Sequence, residues 1–179
     1  MVYDPAVTER MLEAGTYVSF TLQAGGYPTL RGLRARRAGG DALSPGEQSR
    51  LGALEALFEM KMVILANLMR DGMKPRLVIS TDAGPFDVAF GALQDGLELG
   101  VAAGMSPSEA IDAATCIAAK ACNIEDAVGG LESGLDADVL VVDGNPLVDI
   151  RDLRRVRQVF RRGRAVIAEV SVPTGAGGA

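Results

Sequence analysis

A chain of 179 residues, 48% of them hydrophobic, is long enough for one or two compact domains with a real core. Its formal net charge of −5 and pI near 4.8 argue against general affinity for nucleic acid or anionic membrane. No apolar run approaches the roughly 20 residues that cross a bilayer, and Met1 to Pro5 lacks the basic and apolar regions of a signal peptide, so a soluble cytoplasmic protein is the expectation. The chain has no histidine, which removes the commonest general base and the commonest metal ligand together. Cys116 and Cys122 fall in one predicted helix, separated by a rise of about 9 Å, so they read as buried free thiols that do not pair.

In chain order, Asp4-Pro5 predicts a capped helix whose stripe of Val7, Met11 and Ala14 ends at Gly15. Thr16 to Leu22, rich in β-branched and aromatic residues, predicts a strand. Gln23 to Ala42 reads as a long connection carrying Arg31, Arg34, Arg36 and Arg37, a solvated mobile loop in preference to an anion-binding one. Ser44-Pro45-Gly46-Glu47 is a capping box opening a helix to about Arg70, with Leu51, Leu54, Leu57, Phe58, Met62, Leu65 and Met69 toward the core. Leu77 to Ile79 then form an apolar run without polar alternation, the mark of a parallel strand covered on both faces.

Helix, strand, helix, strand over residues 5 to 82 signals parallel βα units. In such architectures ligands gather at the carboxyl ends of strands, and that is where Asp82 stands, followed by Ala83 and Gly84. A cap or Asx-turn accounts for an Asp at this place equally well. A helix ending near Gly104 follows, with Phe90, Leu93, Leu97 and Val101 on one side and three glycines that demand tertiary support. A second capping box, Ser106-Pro107-Ser108-Glu109, opens a small-residue helix to about Cys122. Beyond Asn123 the pattern becomes a small β unit: strands over Ala137 to Asp143, Val156 to Phe160 and Ala165 to Ile167, with a turn at Arg162-Gly163 and a flexible tail over 171–179. Seven of the 18 basic residues lie between Arg151 and Arg164, but without aromatic interleaving they read as strand-edge arginines and not as a nucleic-acid surface.

Three stretches together resemble the C-terminal portion of the metal-dependent amidohydrolase superfamily, near its imidazolonepropionase-like branch: Ile79 to Gly84, Ala103 to Thr115 and Gly130 to Leu147. The resemblance covers roughly residues 75–168 and is carried by the order and spacing of all three. It implies α/β architecture: a partial (β/α)8 TIM barrel, here the last two βα units over 1–122, then a composite β subdomain over 123–170 and a tail over 171–179. A complete barrel takes about 250 residues. The six earlier strands, with the histidines that hold the family's metal, have no counterpart in this sequence.

By the same resemblance, Asp82 touches a divalent metal, zinc foremost, and takes a proton from metal-bound water that attacks a non-peptide or cyclic amide C–N bond, while Gly84, Phe86 and Asp87 face a small-molecule substrate. One carboxylate does not make a catalytic site that needs about three protein ligands, so this chain alone is expected to bind no metal and to be inactive. Glu47, Asp71 and Asp95 are assigned capping, helix-stop and surface roles. Three readings stay open: the C-terminal part of a hydrolase, a subunit of a split barrel completed by another chain, or a non-catalytic interaction module. Two parallel strands with open edges favour a homo-oligomer or a complementing chain.

Overall fold

A computed structural model describes residues 3–84 and 88–166; Pro85, Phe86 and Asp87 lie outside them, as do Ile167 and the predicted tail. Asp4 caps α1 (Pro5–Glu13), accepting from the Ala6 N–H at 2.9 Å. The face of α1 differs from the predicted one: Thr8 is buried with Met11 and Leu12 partly buried, while Val7 and Ala14 are exposed. Thr8 tolerates burial because its hydroxyl donates to the Asp4 carbonyl at 3.3 Å and reaches the Tyr3 hydroxyl, which in turn donates to Asp71.

Strand β1 (Val18–Phe20) is shorter than predicted, because the backbone turns at Thr21, whose carbonyl accepts from the Ala24 N–H. The predicted loop after it is instead a helix, α2 (Tyr27–Ala38). Gly26 makes it possible: its φ of 110° is left-handed, and a Cβ there would stand 2.7 Å from Leu54 Cδ2. Pro28 sits in the first turn, and Leu30 and Leu33 are buried in the core that α3 (Pro45–Arg70) lines with Leu51 and Phe58. The arginines are a paired outer face: Arg34 and Arg37 meet Glu55 at 3.1 and 3.0 Å, Arg36 meets Glu47 at 2.5 Å, and Arg31 reaches Asp95 at 3.0 Å.

Both halves of the Ser44/Glu47 capping box form at the start of α3. Hydrogen bonding from Arg36, then from Ser44, holds the Glu47 carboxyl down at about 2. Of the predicted core positions on α3, Leu51, Phe58, Leu65 and Met69 are buried and Leu54, Leu57 and Met62 are partly so; Ile64 and Leu68 join them. A 3-10 turn, Lys74–Arg76, leads into β2 (Leu77–Ile79), which is buried throughout and runs parallel to β1 with Val18 opposite Leu77 and Phe20 opposite Ile79.

Helix α4 (Leu93–Ala102) begins later than predicted, and Phe90, 86% exposed, lies outside it. Its glycines answer to packing: a Cβ on Gly96 would lie 3.1 Å from Ile79 Cγ2, and one on Gly100 2.9 Å from Ile79 Cδ1, so the helix sits directly on β2. The predicted helix from Pro107 to Cys122 is two, α5 (Pro107–Ala114) and α6 (Cys116–Ala121), broken at Thr115 with φ −126° and ψ −93°. Cys116 and Cys122 are free thiols as expected, but Cys116 is only partly buried and Cys122, just past the end of α6, is exposed, so neither is a core residue.

Strands β3 (Val139–Val142), β4 (Val156–Arg161) and β5 (Arg164–Val166) form a separate antiparallel sheet in that order. The β4–β5 turn has Arg162 at φ 49° and Gly163 at φ 72°, two successive left-handed residues that match the twist of a hairpin. Five of its neighbouring arginines have carboxylate partners: Arg151 with Asp149, Arg154 with Asp95 and Glu98, Arg155 with Asp152, Arg157 with Asp143 and Arg162 with Asp136. Among the described residues no helix is long and apolar enough to cross a membrane.

Candidate active site

The parallel pairing of β1 and β2 brings their carboxyl ends side by side, and every group that defines the site lies within a few residues of those ends. The ladder reaches Ser80, whose N–H donates to the Phe20 carbonyl at 3.3 Å, and the Ser19 and Ser80 hydroxyls lie 2.7 Å apart. One step further, the Gln23 side chain takes over: its Nε2 donates to the Ser80 carbonyl at 3.1 Å. The chain then leaves the sheet. Thr81 Oγ1 accepts from the Ala83 N–H at 3.2 Å, and Asp82 adopts φ 52°, a left-handed conformation that Asp visits more readily than most residues.

Asp82 is exposed and so is Gly84, with φ 115°. The Gly84 N–H donates to the Val88 carbonyl at 3.0 Å, and buried Val88 anchors the return of the loop. Phe86 and Asp87 fall between them, outside the described residues. The structure therefore sets Asp82 and Gly84 together at the carboxyl end of a parallel strand, with the carboxylate turned to solvent.

A divalent metal needs more than this chain offers here. Among the described residues no three His, Cys, Asp or Glu side chains come together in a way that could hold an ion, and the sequence has no histidine at all. Asp82 by itself does not fit a catalytic metal site. As a lone solvated carboxylate it can accept a proton or a hydrogen bond, and nothing more.

Besides Thr8, two buried polar residues escape the sequence reading. Gln23 is 1% exposed and Asp95 5% exposed, although the latter was assigned to the surface. Asp95 lies on α4 and accepts from Arg31 of α2 at 3.0 Å and from Arg154 at 2.5 Å, tying both to the helix that covers β2. Its signal was present only as a spare carboxylate beside Gly96; the arginines that meet it stand 64 and 59 positions away. Lys61, in the middle of α3, donates to the carbonyls of Leu22 and Ala24 at 3.4 and 2.5 Å, and its burial lowers the affinity of its amine for a proton.

The amidohydrolase family model matches residues 8–166. Among solved structures the chain is similar to a Xaa-Pro dipeptidase with bound methionine in its active site, at 28% identity and a TM-score of 0.71, covering 92% of this chain and 38% of that one. It is similar also to a Bifidobacterium longum protein described as a prolidase, at 31% identity and a TM-score of 0.65, covering 84% and 35%, and to an A. niger ochratoxinase, at 26% and 0.64, covering 91% and 35%. No curated protein matches the chain. This polypeptide spans well under half the length of the solved structures it resembles. With the family model running over nearly its whole length, the chain belongs to the amidohydrolase family.

Proposed function

We propose that this chain is the closing part of a (β/α)8 hydrolase barrel that cleaves the amide C–N bond of a small molecule, its β1 and β2 being the last two strands of the barrel. The observation that carries the reading is the exposed carboxylate of Asp82 on a left-handed turn at the carboxyl end of a parallel strand, within a segment matched by the family. Ligands of such architectures collect at that end. Residues 1–122 belong to the barrel and 123–170 to a β subdomain that packs on it.

Asp82 is the catalytic residue of this segment: its exposed carboxylate accepts the proton that an attacking water gives up. Gly84 lets the loop approach the substrate closely, and Phe86 and Asp87 are proposed as further substrate contacts. The divalent cation, zinc by family habit, is held by residues outside this chain, from a complementing polypeptide or a longer form of the protein. The similarity to a dipeptidase and a prolidase favours short-peptide amides over the non-peptide or cyclic amides that the family resemblance implies.

The test is complementation. The purified chain is assayed alone and mixed with the polypeptide encoded directly upstream of its gene, with zinc or manganese, against Xaa-Pro dipeptides and N-acyl amino acids. We expect turnover only in the mixture, and a loss of about a hundredfold or more in kcat on Asp82→Asn, the usual contribution of a positioned base. An active mixture indifferent to Asp82→Asn overturns the assignment.

A further inference from the structure

The end of β1 carries a buried amide that the packing does not require. Gln23 is 1% exposed, its Nε2 donates to the Ser80 carbonyl at 3.1 Å, and among the described residues its Oε1 has no partner. An amide half unsatisfied in a core costs stability, and a leucine of similar volume would avoid that cost. The site is nonetheless built around it on two sides. Behind, Lys61 grips the carbonyls of Leu22 and Ala24, the two residues flanking Gln23. In front, α4 presents Gly96, where a Cβ would come within 2.9 Å of Gln23 Oε1. Only a residue without a side chain leaves room for the amide there.

What this arrangement holds is the Ser80 peptide, the last point of β2 tied to the neighbouring strand before the backbone turns out through Asp82. We propose that Gln23 is a positioning residue: by fixing the Ser80 carbonyl it sets the direction in which the Asp82 carboxylate leaves the sheet, with Lys61 and Gly96 fixing Gln23. The inference rests on the reading of Asp82 as the working carboxylate, but its test does not pass through activity.

The experiment is residue-resolved hydrogen exchange on the purified 179-residue chain, wild type against Gln23→Leu, together with thermal melting. A leucine of similar volume removes the unpaired oxygen but also the donor to the Ser80 carbonyl, two opposing effects, so the melting midpoint should change little. The Ala83 and Gly84 amides should exchange about tenfold faster or more, with α3 unchanged. If Gln23 merely fills space, Ala83 and Gly84 keep their protection, and the proposal fails. If instead the midpoint falls and protection is lost everywhere, Gln23 is a stability element and the proposal fails too. Should the variant not fold, the wild type still decides: the Gln23 side-chain NH2 should exchange at least about tenfold slower than that of an exposed glutamine, and exchange at the free rate overturns the hydrogen bond on which the inference stands. Failure of Asp82→Asn to affect turnover in the complemented enzyme would count against the catalytic reading alone.

Discussion

The parallel and antiparallel parts of this chain bury themselves by different means. All three residues of β2 are buried, because α4 presses glycines against Ile79, α5 and α6 pack against the strand, and its Leu77 and Ile79 join the core cluster that α2 and α3 share. The antiparallel sheet has an open row: Leu140, opposite Val159, is 47% exposed, and Val166, also opposite Val159, is 46% exposed. Among the described residues its neighbourhood contributes only Ile150 and, in part, Leu153 to the common core. What else ties it to α4 is ionic, the pairs of Arg154 with Asp95 and Glu98. The difference teaches that the first region owns its core, while the second borrows a corner of it and adds charge.

The strongest way to break that contrast is to remove core from the first region. Leu65, fully buried on α3, should cost about 2–5 kcal/mol when changed to alanine, the usual range for a leucine cavity. Chemical denaturation followed by hydrogen exchange should show the antiparallel sheet losing protection together with α3, since it has no separate core to stand on. A sheet still protected once α3 has opened would show that the two regions fold independently.

A smaller effect should appear at the ionic joint. Asp95→Asn removes a buried charge, but the arginines left behind are partly solvated, with side-chain exposures of 57% for Arg31 and 40% for Arg154. We expect about 1–2 kcal/mol, below the penalty for stranding a fully buried partner. Exchange should rise first around Ile150 to Arg161 and little in β1 and β2; uniform loosening would mean that the joint belongs to the common core.

The smallest effect concerns helix ends, and it touches both regions. Ser44→Ala should cost about 1 kcal/mol through the lost cap. Acid should loosen the same end. Glu47 and Asp149 are both held down at about 2, the first by Arg36 and the second by Arg151. A carboxyl depressed in the folded state contributes stability in full above its unfolded value, about 4. That contribution is lost as pH falls from there toward 2. Thermal melts at pH 6 and pH 3 should therefore differ less in Ser44→Ala than in the wild type, because the mutant no longer gives Glu47 the Ser44 hydroxyl; an equal difference would assign the acid sensitivity elsewhere.

Legibility followed distance along the chain. Both capping boxes, the Asp4 cap, the β2 run and the Arg162-Gly163 turn were readable because each is a contract among neighbours three or four residues apart. Helix α2 was missed because Gly32 and its arginines dilute the apolar stripe to Tyr27, Leu30 and Leu33, too thin to announce a helix unless one knows that α3 waits to receive it. The break at Thr115 was missed for the converse reason: a run of alanines propagates a helix in any local reading, and only packing decides where it must bend. At the candidate site the exposed carboxylate and its glycine could be named in advance, whereas Gln23, Lys61 and Asp95 could not.

By itself the sequence determined the α/β alternation, the family, the carboxylate at the end of β2 and the lack of any histidine to help it bind metal. Tertiary structure alone decided that Asp95 is buried between two distant arginines and that Gln23 holds the strand end beside Asp82. The reason is physical: a side chain's burial and its hydrogen-bond partner are set by residues that chain folding brings from tens of positions away, and no local pattern encodes which of them will arrive.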